Sequence, residues 1–196
     1  MNAQNYDKLM QEQIEKLDGR KKLLLHCCCA PCSSACLERL KDYFDITVFF
    51  YNPNIDDDEY LKRKNELLRL IEITGWAEAA DCDHDTAEFY SRIKGLEKEK
   101  EGGKRCEICF KLRLERTAEF AAAGGWDYFT TTLTLSPLKN ARLLNEIGES
   151  VARGNAKWLY SDFKKRDGYL NSLKLSEKYA LYRQNYCGCA FSRSNT

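Results

Sequence analysis

Three short groups of cysteine residues have the composition and spacing of a metal site. They are the segments HCCCAPC at 26–32, CEIC at 106–109 and YCGC at 186–189. Ten of the 196 residues are cysteines, and clustered thiols in a reducing compartment more often bind metal or carry redox chemistry than form disulfides. Thiolates are the usual ligands of zinc and of iron–sulfur clusters. The three groups therefore predict a metal site.

The number and spacing of the thiols favour iron over zinc. Cys106 and Cys109 are three residues apart, so both sulfurs leave the same face of a helix. Cys187 and Cys189 flank a single glycine, and two ligands so close suit two neighbouring metals better than one tetrahedral ion. The three groups together exceed the four thiols of one closed site. A zinc ribbon has two C-x-x-C pairs about 15–20 residues apart, a pattern that is missing here, so we expect a cluster plus a mononuclear ion.

Alternating strand and helix patterns predict how these groups are positioned. Apolar or β-branched runs predict strands at 21–28, 45–51, 76–82, 128–135 and 157–160. Helical patterns lie at 5–17, 33–43, 56–75, 86–93 and 106–123, with a further helix opening at Ser136-Pro137. This alternation predicts a three-layer α/β fold with a mostly parallel sheet. Ligands of such sheets bind beyond the carboxyl ends of the strands, so we expect the cysteine groups to meet there.

Length and composition predict one folded domain over residues 1–196. We expect an N-terminal capping helix at about 5–18 and a C-terminal metal-binding segment at about 162–190. The formal charge of +1 excludes the chain-wide basic excess of many nucleic-acid binders, so any such site must be local. The sequence has no apolar run of spanning length and a polar start, from which we predict a soluble, cytoplasmic protein that does not bind membranes.

Six segments spread over nearly the whole sequence carry a family resemblance. They are NYDKLM, HCCCAPC, FFYNPNI, CEICFKLRLE, TTTLTLSPLKN and the block from FKKRDGY to YCGC. In these the chain resembles epoxyqueuosine reductases of the QueH type. The resemblance implies a Rossmann-like, nucleotide-hydrolase-like fold. It also implies reduction of epoxyqueuosine at the tRNA wobble position to queuosine, the last step of queuosine biosynthesis, with electrons from an external donor.

The same resemblance implies a 4Fe-4S cluster beside an additional mononuclear iron. Carried over by motif, the cluster ligands are Cys29, Cys106, Cys109 and Cys187. The second iron is the expected catalytic centre, and its ligands by the same motifs are Cys28, Cys32 and Cys189. Some members of the family have aspartate where this chain has Cys32.

A basic segment before the final cysteines is the expected tRNA contact. Phosphates are contacted by lysine and arginine, and unstacked bases favour aromatic side chains. The candidate contacts, which lie among several tyrosines, are Lys164, Lys165, Arg166 and Arg183. The same pattern also fits a solvated helix face.

Other residues near the motifs receive simpler interpretations. Three further thiols are predicted to be packing residues, namely Cys27, Cys36 and Cys82. We interpret His26 as a hydrogen-bonded core histidine. Three residues are candidates for the acid that delivers protons, namely Asp83, His84 and Tyr186.

Two other functions compete with the reductase. An ATP-dependent tRNA sulfur transferase would need a glycine-rich phosphate loop after the first strand, where this chain has cysteines and Pro31. A zinc-stabilised nucleic-acid-binding module would use its thiols only to hold the fold. Iron and acid-labile sulfide in the purified protein distinguish the reductase from the zinc module.

Overall fold

The computed structural model describes residues 4–193, so three residues at each end of the predicted domain lie outside the described part. The strands are β1 (Lys21–His26), β2 (Phe44–Phe49), β3 (Glu78–Ala80), β4 (Tyr128–Thr131) and β5 (Lys157–Trp158). The helices are α1 (Tyr6–Glu15), α2 (Ala30–Leu40), α3 (Asp57–Thr74), α4 (Thr86–Arg92), α5 (Lys104–Gly124), α6 (Ala141–Val151), α7 (Gly168–Lys178) and α8 (Ala190–Arg193). No helix in this described range has both the length and the apolar character to cross a membrane.

The five strands form one parallel sheet in the order β3-β2-β1-β4-β5. Strand β1 is central and pairs with both β2 and β4. At its carboxyl end His26 lies opposite Phe49 on one side and Thr131 on the other. Three strands therefore end side by side, and the chain segments that follow them meet at the same edge of the sheet.

Strand β1 separates two apolar cores. Leu23 and Leu25 face a core that includes residues of α1, α2, α3 and α7. Leu24 faces the other core, which is built with α4, α5 and α6. All three leucines are fully buried, and each contributes roughly 1.5–3 kcal/mol to folding. The predicted three-layer α/β fold is confirmed.

Strand β4 is shorter than its sequence predicts. The prediction of a strand over 128–135 is wrong beyond Thr131, because its Oγ1 accepts the N–H of Leu133. This hydrogen bond turns the chain into a 3-10 helix at Thr132–Leu135. Strand β1 likewise ends at His26 rather than Cys28, and α2 begins at Ala30 rather than at residue 33.

Side-chain hydrogen bonds fix two other ends that the sequence predictions misplaced. Helix α6 begins at Ala141 rather than near Ser136, because Asn140 Oδ1 accepts the N–H of Leu143 and caps the helix. Strand β5 ends at Trp158 rather than at residue 160. Two residues later, the N–H of Tyr160 donates to Gln13 Oε1 on α1 instead of to the sheet.

Helix α6 approaches β5 so closely that Gly148 has no room for a side chain. An added Cβ would lie 2.3 Å from Cε2 of Trp158, so Gly148→Ala should lower the free energy of unfolding by about 1–3 kcal/mol. Denaturant unfolding measures this. The control Glu146→Ala, on the exposed face of α6, should stay within about 0.5 kcal/mol, and equal losses in both variants would refute the packing argument.

Candidate metal centre

The first thiol group lies where β1 ends and α2 begins. The sulfurs of Cys28, Cys29 and Cys32 all lie within 4.8 Å of one another, and those of Cys28 and Cys29 are 3.9 Å apart. Because β1 ends at His26, before the predicted end at residue 28, Cys28 and Cys29 do not alternate across the faces of a strand. Cys29 is instead the N-cap of α2, whose positive end favours thiolates.

Hydrogen bonds among these three thiols concentrate negative charge on one sulfur. They hold the pKa of Cys28 well below its usual value, with help from Arg113 and Lys139. The hydrogen bond with Cys28, together with burial, raises the pKa of Cys29 to about 12, and hydrogen bonds with Cys28 and Cys29 raise that of Cys32. The group therefore has one sulfur prepared to bind a cation and two that must lose protons when a metal enters.

The other two cysteine groups, CEIC and YCGC, line a small pocket, here called the cysteine cavity, of about 210 Å³. Its thiols and one buried amide are Cys106, Cys109, Cys187, Cys189 and Asn54. The N–H of Gly102 donates to Cys106 Sγ at 3.2 Å, and burial raises the pKa of Cys109 to about 12. Pockets for organic ligands usually measure about 300–1,000 Å³, so this cavity suits a more compact group.

A wider opening, here called the cleft, adjoins the cysteine cavity and has a volume of about 390 Å³. Its lining includes Cys28, Cys32, Lys139, Arg183, Tyr186 and Cys187. Cys187 and Lys139 line the cysteine cavity as well. Burial alone would lower the pKa of Lys139, but its electrostatic interactions with the cysteines Cys187, Cys28 and Cys32 raise it above its usual value. The ammonium of Lys139 therefore stays charged between the two spaces.

Buried Arg63 fixes the loop that carries the last two cysteines. Its Nε donates to Glu59 Oε1 at 2.6 Å, and its Nη1 donates to the carbonyl oxygen of Cys187 at 3.0 Å. Gly188 has a φ of 110°, a left-handed conformation that favours glycine. An added Cβ at Gly188 would also lie 3.0 Å from Arg63 Nη1. The glycine between the two cysteines thus allows the loop to pack closely against Arg63.

A second buried arginine lies beneath the thiols. Arg113 Nη2 donates to Asn52 Oδ1, and its Nε lies 3.3 Å from Nε2 of His26. His26 also contacts Thr131 Oγ1 through Nδ1 at 2.8 Å and the carbonyl oxygen of Tyr51 through Nε2 at 3.0 Å. Burial, with the charge of Arg113, lowers the pKa of His26 to about 3. His26 is therefore the neutral, hydrogen-bonded core histidine that the sequence predicts.

The donor set of the two spaces fits an iron–sulfur centre. Seven thiols line the cleft or the cysteine cavity or lie in the cluster of Cys28, Cys29 and Cys32. Thiolates select soft metals. One closed tetrahedral ion needs only four of them. The sulfurs group as Cys28 with Cys29 and Cys32, and the remaining four line the cysteine cavity. Cys29 thus lies with the two thiols that the resemblance assigns to the other iron.

The four basic residues expected to contact tRNA have different environments. Lys164 Nζ donates to the carbonyl oxygen of Thr134 at 3.0 Å and forms an ion pair with Asp162. Lys165 is exposed, and Arg166 is exposed but its Nε donates to Asp7. Arg183 lines the cleft. Lys165 and Arg183 are therefore the better-placed members of the set.

The candidate proton donors are also separated. Tyr186 lines the cleft. Asp83 lies in a different pocket and pairs with Arg116, and His84 Nε2 lies 2.9 Å from the carbonyl oxygen of Ile55. Among the predicted packing thiols, Cys27 and Cys36 are fully buried in the core and Cys82 is partly buried against it.

Sequence reasoning missed three buried residues beside the thiols, namely Arg63, Arg113 and Asn54. A charged residue on a helix is normally solvated, so neither arginine was distinguishable from surface charge. One signal was available, since Arg113 follows Cys109 by four residues and so shares its helix face. Asn54 lies in the NPN segment, which indicates a turn and nothing more.

Comparisons with known proteins show which family the chain belongs to. The family model described as epoxyqueuosine reductase QueH matches residues 23–195. The chain belongs to this family. Relatives named epoxyqueuosine reductase QueH include one from Streptococcus pyogenes serotype M1, 41% identical over 96% of this chain and 78% of the relative. Another, from Staphylococcus epidermidis, is 43% identical over 96% of this chain and 84% of the relative. A third, from Thermotoga maritima, is 35% identical over 87% of this chain and 89% of the relative.

Substitution of Arg63 tests whether this residue anchors the loop that carries Cys187 and Cys189. Arg63→Met leaves Glu59 buried without its cation, so the free energy of unfolding should fall by about 3–5 kcal/mol. Denaturant unfolding under anaerobic conditions measures the loss. The control Arg142→Met removes an exposed pair with Glu146 and should cost less than about 1 kcal/mol. A similar small cost for Arg63→Met would contradict its anchoring role.

Proposed function

We propose that this protein reduces the epoxide of epoxyqueuosine in tRNA to give queuosine. The observation that carries the proposal is the meeting of three distant cysteine groups beside an open cleft. Membership of the epoxyqueuosine reductase QueH family supports the same activity. The reaction consumes two electrons and two protons and releases the epoxide oxygen as water.

The proposal includes a 4Fe-4S cluster and an additional iron held by the seven thiols. When bound, these groups supply single electrons from an external donor and a Lewis acid for the epoxide oxygen. Assignment by motif gives Cys29 to the cluster and Cys189 to the second iron. The grouping of the sulfurs favours the exchange of these two, since Cys29 lies with Cys28 and Cys32. Single cysteine variants distinguish the two assignments. A variant that loses one iron but keeps its sulfide lacks a ligand of the second iron, whereas a variant that loses sulfide lacks a ligand of the cluster.

The residues around the cleft have roles that their contacts support. Lys139 Nζ holds a proton and a positive charge beside Cys28 and Cys32, next to the space where an oxygen leaves the substrate. Tyr186 offers a hydroxyl in the same cleft. The cleft volume of about 390 Å³ lies in the range of small-molecule sites, which suits one nucleotide turned out of the anticodon loop.

The tRNA is proposed to approach over the segment at about 162–190, which we also propose as the metal-binding segment of a single domain. Arg183 and Lys165 contact phosphates, whereas Lys164 is committed to carbonyl oxygens and Asp162. Arg183 lies 6.0 Å from the ring of Tyr169, which also lines the cleft. A cytoplasmic location, where tRNA is present, belongs to the same proposal.

The rival functions have less support in the local structure. The segment between β1 and α2 carries Cys28, Cys29 and Pro31, not the glycine-rich loop that binds the phosphates of ATP. A sulfur transferase of that kind is therefore disfavoured. The zinc-stabilised module is separated from the reductase by the metal content of protein purified without oxygen.

Turnover of the natural substrate is the direct test of the activity. Protein purified without oxygen should contain iron and acid-labile sulfide. With a chemical reductant it should convert epoxyqueuosine in tRNA to queuosine, as measured by nucleoside mass spectrometry. Cys28→Ala and Cys189→Ala should lose more than the roughly 10–100-fold that outer-shell changes cost at metal sites, while Cys82→Ala should remain active. Zinc-loaded protein, or full turnover by Cys189→Ala, would contradict the proposal.

Arg183 provides a test of the tRNA surface. Arg183→Ala should weaken tRNA binding, and the slope of log affinity against log salt should fall in magnitude by about 0.7 for one lost phosphate contact to a single strand. Binding is measured by fluorescence titration at several salt concentrations. Lys157→Ala, at the amino end of β5, is the control and should change neither quantity. An unchanged slope for Arg183→Ala would remove this residue from the interface.

A further inference from the structure

Asn54 is a buried amide whose hydrogen-bonding groups are unused within the protein. Its exposure is 2%, and neither Nδ2 nor Oδ1 has a hydrogen-bond partner among residues 4–193. An unpaired buried polar group costs roughly 1–3 kcal/mol, and such groups are few in folded proteins. We therefore expect the hydrogen-bonding partner of this amide to be a ligand outside the polypeptide.

The amide lies in the wall of the cysteine cavity. Asn54 lines that cavity with Cys106, Cys109, Cys187 and Cys189. The next residue, Ile55, lies close enough to the cysteine loop for a Cβ on Gly188 to meet its Cγ1 at 3.0 Å. Thus the orphaned amide and the four thiols share one small space.

Neighbouring asparagines show that this amide differs from structural ones. Asn52 Nδ2 donates to the carbonyl oxygen of Cys27, and its Oδ1 accepts from Arg113. Asn140, also in the wall of the cysteine cavity, caps α6 through its Oδ1. Each of these side chains supports the fold through an identified contact, whereas Asn54 makes none within the described chain.

We propose that Asn54 is a positioning residue whose Nδ2–H donates a hydrogen bond to a sulfur of the iron–sulfur centre in the cysteine cavity. The inference rests on the proposed function, because it requires that centre. Hydrogen bonds to sulfur are among the determinants of cluster potential. A sulfur accepts more strongly when reduction adds negative charge, so the Asn54 amide stabilises the reduced state. It thereby raises the reduction potential and makes the centre easier for the external donor to reduce.

The test compares reduction potentials in the intact, metal-loaded protein. Asn54→Leu keeps a similar side-chain volume without the donor, and Asn54→Asp keeps the shape while replacing the donor with an acceptor. At a fixed solution potential, each variant should show at least a tenfold lower ratio of reduced to oxidised cluster. This corresponds to about 59 mV for a one-electron couple. Redox titration followed by electron paramagnetic resonance measures it without substrate.

The control is Asn171→Leu, which changes an amide that already bonds to Glu38 on α2 and should leave the potential unchanged. An Asn54→Leu protein with full iron and sulfide and an unchanged potential would overturn the inference. If that variant lacks the cluster, Asn54→Asp decides instead. If both Asn54 variants lose the cluster while Asn171→Leu keeps it, Asn54 is a metal ligand or a structural residue, and the proposed hydrogen bond to sulfur is wrong. An unaltered protein without iron and sulfide would contradict the proposed function itself.

Discussion

Burial of thiols that would become anionic on binding a metal is the constraint on which the rest of this structure depends. A thiol that binds metal loses its proton, and a charge left unpaired in a protein interior costs several kcal/mol. Three cations reach the thiols from separate elements, namely Arg63, Arg113 and Lys139, and all three act on Cys28. Both arginines are 1% exposed, so water does not screen them. The thiol groups and their counter-charges therefore form one electrostatic unit.

The two longest helices in the described chain carry the buried arginines to that unit. Helix α3 has 18 residues and brings Arg63 to the C-terminal loop, with Glu59 one turn earlier to balance its charge. Helix α5 has 21 residues and carries Cys109 and Arg113 one turn apart, so it supplies a buried thiol and a positive charge from one face. The parallel sheet then sets the distance between the helices. The three-layer fold thus serves the site chiefly by holding the two buried arginines at fixed positions beside the thiols.

The sequence predicted the elements and the meeting of the cysteine groups better than it predicted local geometry. Hydrophobic periodicity reports which segments are strands, but the end of β4 depends on one hydrogen bond from Leu133 to Thr131. The same limit applied to Cys28 and Cys29, whose sulfurs lie close together because β1 stops two residues earlier than predicted. The roles of charged side chains were the feature that the sequence predicted least well. Lys164 resembles a nucleic-acid contact in sequence, yet its ammonium is bonded to carbonyl oxygens.

Lys139 lies between the cleft and the thiols. Its side chain lines both the cleft and the cysteine cavity, as Cys187 does. Under the proposed function, this one ammonium would interact both with negative charge that develops on an oxygen in the cleft and with negative charge on the sulfurs. Two groups that share a cation in a low-dielectric site influence each other's free energy, and the influence is reciprocal. Under the proposed function, occupation of the cleft by substrate would then alter the energy of adding an electron to a centre held by the thiols, even without movement of the chain.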